Sequence, residues 1–252
     1  MTLDTFSLAA TTNDLTREPQ VRDVADILEF RIDKAENPIE QLANYDGELS
    51  IVATNRGQWF GGEAVDTGRL DILFAASEFD SVEVVDIELE TARGNGWVIP
   101  DFRKNDVDII ISYHAFEDTP DQRTLNAIFD QCAQHGDIAK VAAYAEDTSD
   151  TLRMLTAVHQ ATAEGKSVAG ISMGAVGSHT RAVAPLYGSK LGYAPLESDT
   201  SNYAPGQISI HTLSTMIETL GATEQRGREQ PAPGDVTSLD DVSESVGVLK
   251  TD

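Results

Sequence analysis

Residues 107–144 read VDIIISYHAFEDTPDQRTLNAIFDQCAQHGDIAKVAAY and decide the fold class. Val107–Tyr113 and Asp137–Ala143 are short, mostly apolar runs, which is typical of buried parallel strands. Between them, Asp121–Gln134 has helical periodicity. Its apolar residues recur on one side: Leu125, Ile128, Phe129 and Cys132. The segment therefore predicts two parallel strands joined by a helix.

The same alternation of strand and helix recurs along the chain. Eight strands are predicted: Phe6–Ala10, Asp26–Ile32, Ser50–Thr54, Val82–Ile87, Val107–Tyr113, Asp137–Ala143, Ser167–Ile171 and Leu191–Ala194. Two further helices are predicted at Thr151–Glu164 and Gly206–Leu220. In the first of these, the expected buried side consists of Leu152, Leu155, Val158 and Ala161.

Eight alternating strands in this length favour an α/β fold, a closed (β/α)8 TIM barrel. An open doubly wound sheet usually has fewer strands and a glycine-rich turn after the first, and no such turn follows Phe6–Ala10. We expect one catalytic domain over residues 1–220. Residues 221–252 are polar and acidic, which predicts a mobile C-terminal tail.

Charge is the most unusual feature of the composition. The chain has 42 acidic against 18 basic residues, a net charge of −24, and only six lysines. So negative a protein is not expected to bind nucleic acid. The carboxylates are scattered rather than clustered, so we interpret them as a hydrated surface adapted to high salt. The alternative is an ordinary acidic protein.

Other classes of site and location are disfavoured by what the sequence lacks. It has no apolar run long enough for a membrane span and no secretory signal, so we expect a cytoplasmic protein. The single cysteine, Cys132, cannot form an internal disulfide and offers no metal cluster, so no metal site is predicted.

Lys140 is the first candidate for chemistry, because it is a lone cation in a small apolar strand. Side chains alternate along a strand, so Ile138, Lys140 and Ala142 share one face. Burial disfavours the charged form of an amine, and a neutral lysine can attack a carbonyl to form a Schiff base. The alternative is a charge that protects an edge strand.

His114 is the second candidate. In the preceding strand the alternation places Ile110, Ser112 and His114 on one face, with His114 at the strand end. A histidine beside an imine-forming lysine is a suitable general acid and base. The alternative is a hydrogen-bonded structural histidine.

Charged residues also alternate along the second predicted strand. Glu29, Arg31 and Asp33 are expected to face the barrel interior, and Arg56 lies at the end of the third strand on its inner face. Inward arginines suit a polyhydroxylated anionic substrate. The alternative is a buried structural network that pairs Glu29 with Arg31 or Arg56.

Taken in order, these residues resemble one family, the type I 3-dehydroquinases. The motifs that carry the resemblance run from about Leu28 to Leu213: Glu29-Phe30-Arg31-Ile32-Asp33, Arg56 with Gly61-Gly62, Ser112-Tyr113-His114-Ala115-Phe116 with Thr119-Pro120, Asp137-Ile138-Ala139-Lys140, Met173-Gly174 with Arg181, Tyr187-Gly188-Ser189, and Ala204-Pro205-Gly206-Gln207. Each motif alone is weak, but their order and distances are specific.

The resemblance implies that the protein dehydrates 3-dehydroquinate to 3-dehydroshikimate, a step of the shikimate pathway. Lys140 would form an imine with the C3 ketone, and His114 would move protons at C2 and at the C1 hydroxyl. Arg181 and Gln207 would bind the substrate carboxylate end. The remaining binding residues would contact the ring hydroxyls: Glu29, Arg31 and Arg56. No metal or organic cofactor is implied, since the imine is the electron sink, and the family resemblance implies a homodimer.

The sequence departs from the family pattern at three positions. Phe60 replaces an acidic residue before the paired glycines that helps orient the histidine, and Ala115 replaces an aspartate after the histidine. Tyr203 replaces a serine in the loop expected to close on substrate. We expect Glu29 to take over the orientation of His114.

Two alternative functions are weighed against this one. Another Schiff-base barrel, such as an aldolase acting on sugar phosphates, would need a phosphate site near the seventh and eighth strands. A non-catalytic acidic binding protein would give no reason for an inward lysine and histidine at strand ends.

Overall fold

Eight parallel strands form the inner wall of the molecule. The structure is a computed structural model that describes residues 5–196 and 206–221. The strands are β1 (Ser7–Thr12), β2 (Ile27–Arg31), β3 (Ile51–Thr54), β4 (Val82–Glu88), β5 (Asp108–Ala115), β6 (Ile138–Tyr144), β7 (Val168–Met173) and β8 (Leu191–Pro195).

Helices connect the strands and cover their outer face. The α-helices are α1 (Pro38–Ala43), α2 (Arg69–Ala76), α3 (Leu89–Gly94), α4 (Val98–Phe102), α5 (Gln122–Ala133), α6 (Thr148–Ala163), α7 (Gly174–Gly177), α8 (Thr180–Val183) and α9 (Ile210–Thr219). Short 3-10 helices lie at Leu15–Gln20, Ile32–Lys34, Gln58–Phe60, Arg103–Asn105 and Ala184–Tyr187.

The strands pair in the order β7-β6-β5-β4-β3-β2-β1-β8. The remaining seam, between β7 and β8, is bridged at Val168 and Ser189, and the Lys190 amide donates a 2.7 Å bond to the carbonyl of Val168. The sheet is therefore a nearly closed barrel, and the predicted (β/α)8 fold is confirmed.

Alternation along each strand separates two apolar layers. Outward residues such as Phe30 and Ile109 pack beneath the helices. Inward residues fill the barrel floor: Ala9, Ile27, Val52, Val84, Ile110, Ile138, Ala169 and Leu191. Two residues further along six of these strands, the inward positions become polar: Thr11, Glu29, Thr54, Asp86, Ser112 and Lys140. The interior thus changes from apolar to charged toward the carboxyl ends of the strands.

All eight predicted strands are present with shifts of one or two residues at their ends. One predicted helix face is partly wrong. Leu152 of α6 is 64% exposed, whereas Met154 is fully buried. Successive helical residues are rotated by about 100°, so Leu152 lies nearly opposite Met154, on which the buried face is centred.

Within the ranges that the structure covers, none of the helices combines the length and the apolar character needed to cross a membrane. The predicted tail at 221–252, apart from Gly221, and Tyr203 of the predicted closing loop lie outside the described residues. The predicted domain boundary at residue 220 therefore stays a prediction.

Candidate active site

A cavity of about 470 Å³ opens at the carboxyl ends of the strands. This volume is typical of a small-molecule site. The structure brings every sequence-predicted site residue to its wall: Glu29, Arg31, Arg56, His114, Lys140, Arg181 and Gln207. The carboxyl ends of the strands are where barrel enzymes have their active sites.

Lys140 of β6 is buried in the cavity wall, and three groups surround its Nζ. The Oδ2 of Asp86 lies at 2.9 Å, the Oε1 of Glu29 at 3.7 Å, and the centroid of the Tyr193 ring at 3.9 Å. Carboxylates and an aromatic face both attract a cation. This nitrogen thus has two carboxylates and an aromatic face as neighbours and lies at the wall of a substrate-sized cavity.

Asp86 of β4 connects the lysine to a binding arginine. Its Oδ1 accepts a 2.6 Å hydrogen bond from the Ser112 hydroxyl and lies 2.8 Å from Nη2 of Arg56. Burial alone would raise the pKa of Asp86, but the charges of Arg56 and Lys140 outweigh it and lower the pKa well below its usual range. Asp86 is therefore a fixed negative charge between two cations.

A second buried carboxylate, Glu88, lies two residues further along β4. It is 3.0 Å from Nη1 of Arg69 and 3.6 Å from Nη1 of Arg56, and it accepts a bond from the Thr91 hydroxyl. Sequence reasoning missed both β4 carboxylates. The available signal was the alternation Val84, Asp86, Glu88, which puts two acids on the inner face of a predicted strand.

The alternative interpretation of the inward charges, an ion-pair network between Glu29 and Arg31 or Arg56, is not what the structure has. Glu29 accepts hydrogen bonds from Thr11 (2.8 Å) and Thr54 (3.3 Å) and pairs with Lys140, not with an arginine, in the described part of the chain. Arg31 instead pairs with Asp33 through two bonds of 2.8 and 2.7 Å. Asp33, in the 3-10 turn that follows β2, thus holds the guanidinium of Arg31 in one orientation.

His114 lies at the end of β5, next to β6. The register pairs Ser112 with Lys140 and His114 with Ala142, so the imidazole lies one inward position beyond the lysine. Burial, then the charges of Arg56 and Lys140, lower the pKa of His114 well below its ordinary value of 6.5. At neutral pH the ring is uncharged and can accept a proton.

The prediction that Glu29 orients His114 is wrong. Within residues 5–196 and 206–221 no hydrogen bond joins the two side chains, because the Glu29 carboxylate is engaged with Thr11, Thr54 and Lys140. The ring contact of His114 is with Phe116. The two rings are stacked, with centroids 5.7 Å apart and planes inclined by 13°.

The paired glycines have a steric role beside this histidine. A Cβ on Gly62 would lie 2.0 Å from the carbonyl oxygen of Arg56, so only glycine allows this approach. Gly61 has φ +80°, and a Cβ there would lie 2.5 Å from Cζ of Phe116. The two glycines thus allow the backbone to pass close to Arg56 and leave space for the Phe116 ring.

Arg181 and Gln207 close the other side of the cavity. Arg181 is buried, and its Nε donates a 3.2 Å bond to the carbonyl of Gly206. Burial lowers the pKa of Arg181 to about 10. No carboxylate pairs with its guanidinium in the described ranges, and the Oε1 of Gln207 is likewise buried without a hydrogen-bond partner there. An arginine in this state is suited to bind an anionic ligand.

Tyr193 is a further cavity residue that sequence reasoning missed. Its ring contacts the Nζ of Lys140, and burial raises its pKa well above the usual value, so the phenol stays protonated. The signal was weak, because Tyr193 lies in the shortest of the eight predicted strands, Leu191–Ala194.

Together these groups can perform carbonyl chemistry. The cavity holds a primary amine for imine formation, a neutral imidazole for proton transfer, and a buried arginine for an anionic group. In the described part of the chain no cluster of histidine, cysteine and acidic side chains is arranged to hold a metal ion.

Comparison with known proteins gives a family and close relatives. A family model described as type I 3-dehydroquinase matches residues 8–224. A 3-dehydroquinate dehydratase of Haloarcula marismortui is 45% identical over 226 residues, covering 87% of this chain and 98% of the relative. One from Haloquadratum walsbyi is 44% identical and covers 89% and 96%, respectively.

Solved structures give the same result for the fold. The crystal structure of 3-dehydroquinate dehydratase from Geobacillus kaustophilus superposes with a TM-score of 0.76 at 26% identity, covering 89% of this chain and 93% of that one.

Proposed function

Because the chain belongs to the type I 3-dehydroquinase family, we propose that it dehydrates 3-dehydroquinate to 3-dehydroshikimate through an imine on Lys140. The supporting observation is the position of the Lys140 Nζ, at the cavity wall between Asp86 and Glu29 with His114 on the adjacent strand. The reaction is a step of the shikimate pathway. Family membership decides against the sugar-phosphate aldolase and the non-catalytic binding protein.

Imine formation joins Nζ of Lys140 to C3 of the substrate. The amine adds to the ketone carbon, the C–O bond breaks, and the oxygen leaves as water. Overall, an ammonium and a ketone become an iminium ion and water, so positive charge is present on Nζ before and after the step. Asp86 and Glu29 therefore face a cation in both states. The iminium then acidifies the protons at C2.

His114 carries the proton transfers that follow. As a neutral imidazole it removes a proton from C2, and the electron pair of that C–H bond moves toward the iminium nitrogen. The imidazolium then protonates the C1 hydroxyl, which leaves as water while the iminium re-forms. Hydrolysis of the iminium releases the enone and restores the lysine.

The arginines and Gln207 orient the substrate. Arg181 binds the carboxylate, because its buried guanidinium has no acidic partner in the described part of the chain. Gln207 lies at the same end, where its buried Oε1 can accept a hydrogen bond from a substrate hydroxyl. Arg31, Arg56 and Glu29 bind the ring hydroxyls. Since Asp33 and Asp86 already hold the two arginines, their remaining donors are preorganised.

The function is tested by the appearance of the conjugated enone from 3-dehydroquinate, followed by absorbance at low and at molar salt. Turnover at either salt concentration supports the proposal. Absence of enone formation by the folded protein at both would contradict it.

Replacement of Arg181 by lysine should weaken substrate binding. The substitution keeps a positive charge but loses paired donors, so the apparent binding free energy should fall by about 1.5 to 3 kcal/mol. The change is measured by the Michaelis constant and by the Kd of the substrate. The same replacement at Arg123, an arginine of α5 outside the cavity, is the control. Unchanged constants in Arg181→Lys would mean that another cation holds the carboxylate.

Thermal stability should depend strongly on salt. With a net charge of −24, repulsion among carboxylates destabilises the fold in dilute buffer. Molar salt shortens the Debye length to about 3 Å and suppresses this repulsion. The Tm should therefore rise steeply from low to molar potassium chloride. A Tm that does not change over this range would refute adaptation to high salt and leave the catalytic proposal untouched.

A homodimer, a cytoplasmic location and the absence of nucleic-acid binding stay predictions. Sedimentation at molar salt, cell fractionation and a binding titration with DNA test them in turn.

A further inference from the structure

The ring of His114 is held in an unusual way for a catalytic base. Within residues 5–196 and 206–221 its one stacked aromatic neighbour is Phe116, with ring centroids 5.7 Å apart and planes inclined by 13°, and neither ring nitrogen has a hydrogen bond there. We propose that Phe116 is the positioning residue of His114, and that ring stacking takes the place of the carboxylate to which a histidine base is usually hydrogen-bonded. This inference rests on the proposed function of His114.

In the described part of the chain, no carboxylate orients the His114 ring through a hydrogen bond. Phe60 precedes the paired glycines and Ala115 follows His114, so neither of these positions supplies a carboxylate. Glu29 is engaged with two threonines and Lys140, and Asp86 with Ser112, Arg56 and Lys140. A ring without a hydrogen bond still needs a fixed plane for proton transfer, and an offset stack supplies one.

Phe116 is itself supported from the other side. The Gly61 backbone lies so close that a side chain there would overlap the phenyl ring. That loop is pinned by the bridge between Gly57 and Ala64 and by a 3.1 Å bond from the Gly62 amide to the Gly57 carbonyl. The loop therefore contacts the phenyl ring of Phe116, and this ring in turn contacts the imidazole of His114.

Exposure argues against a purely structural role for Phe116. The side chain is 49% exposed, so it contributes little to the core. A large apolar group left half in water at a cavity wall is better explained by what it contacts there. Stacking also leaves both imidazole nitrogens without a protein partner in the described ranges. The ring can therefore take a proton from C2 and deliver it to the C1 oxygen.

The test is Phe116→Leu, which keeps an apolar side chain and removes the stacking face. We expect kcat to fall about 10- to 100-fold, because a small displacement of a base is costly in rate. The Michaelis constant should stay within about twofold. Proton abstraction should become more rate-limiting, so the kinetic isotope effect with substrate deuterated at C2 should increase. The fraction of enzyme trapped as imine by borohydride should rise.

Trp59→Leu is the matched control. Trp59 lies in the same loop as Gly61, is 84% exposed and does not line the cavity, so its kcat and isotope effect should match the wild type. The positioning role is refuted if folded Phe116→Leu keeps wild-type kcat, or loses rate with no change in isotope effect or trapped imine. If the wild type itself forms no imine, the proposed function fails instead.

Discussion

Lys140→Ala is expected to abolish imine formation and to lower kcat by several orders of magnitude. The substitution removes the nitrogen that forms the covalent intermediate, and no other group in the described cavity wall replaces it between Asp86 and Glu29. Enone absorbance measures the turnover, and the mass after borohydride treatment measures the adduct.

The control for this variant has two parts. Asp86 keeps Arg56 and Ser112 as partners, so the fold should survive, and a thermal melt at molar salt checks this. Lys166→Ala removes a lysine that pairs with Asp130 and Glu164 on the helical surface, and it should keep wild-type turnover. Near-normal turnover by Lys140→Ala would refute the imine mechanism.

His114→Ala is expected to lose turnover by a different route. Lys140 remains, so the imine still forms slowly, but the C2 proton has no acceptor and the adduct accumulates. Steady-state kcat should therefore fall, while the fraction of enzyme trapped by borohydride as the imine adduct should rise. His159→Ala, at an exposed position on α6, is the control. Normal turnover by His114→Ala would make His114 a structural residue.

The pH profile of the wild type reports on the same residue. The base form is needed for catalysis, and the pKa of His114 lies well below 6.5 because of burial and the charges of Arg56 and Lys140. Activity should therefore persist below pH 6.5 and fall only when the pH drops through this lowered pKa. An acid limb of kcat/KM centred at or above 6.5 would contradict this environment.

The inner and outer faces of the strands could be predicted because the strand period is fixed. Alternation alone placed Lys140, His114 and Arg56 on the inner face, and the closed barrel then brought them to one cavity. The helices were less certain. The face of α6 was misjudged at Leu152 because several apolar residues in that helix lie on different sides.

Partners of charged groups could not be predicted from the strands separately. Asp86 and Lys140 are separated by 54 residues and meet only because β4, β5 and β6 pair in register. The alternative that paired Glu29 with an arginine, and the expectation that Glu29 orients His114, were wrong for the same reason. The stagger between neighbouring strands determines which acid pairs with which cation. The alternation of side chains along one strand does not specify that stagger. The stack of Phe116 on His114 depends on the Gly61 loop in the same way.

The most direct measurement is peptide mapping of the wild-type chain after borohydride reduction in the presence of 3-dehydroquinate. The chain has six lysines, and of those that the structure describes, Lys34 and Lys140 line the cavity. We predict one reduced adduct, located on Lys140 alone. Turnover without an adduct, or an adduct on Lys34 in place of Lys140, would contradict the account.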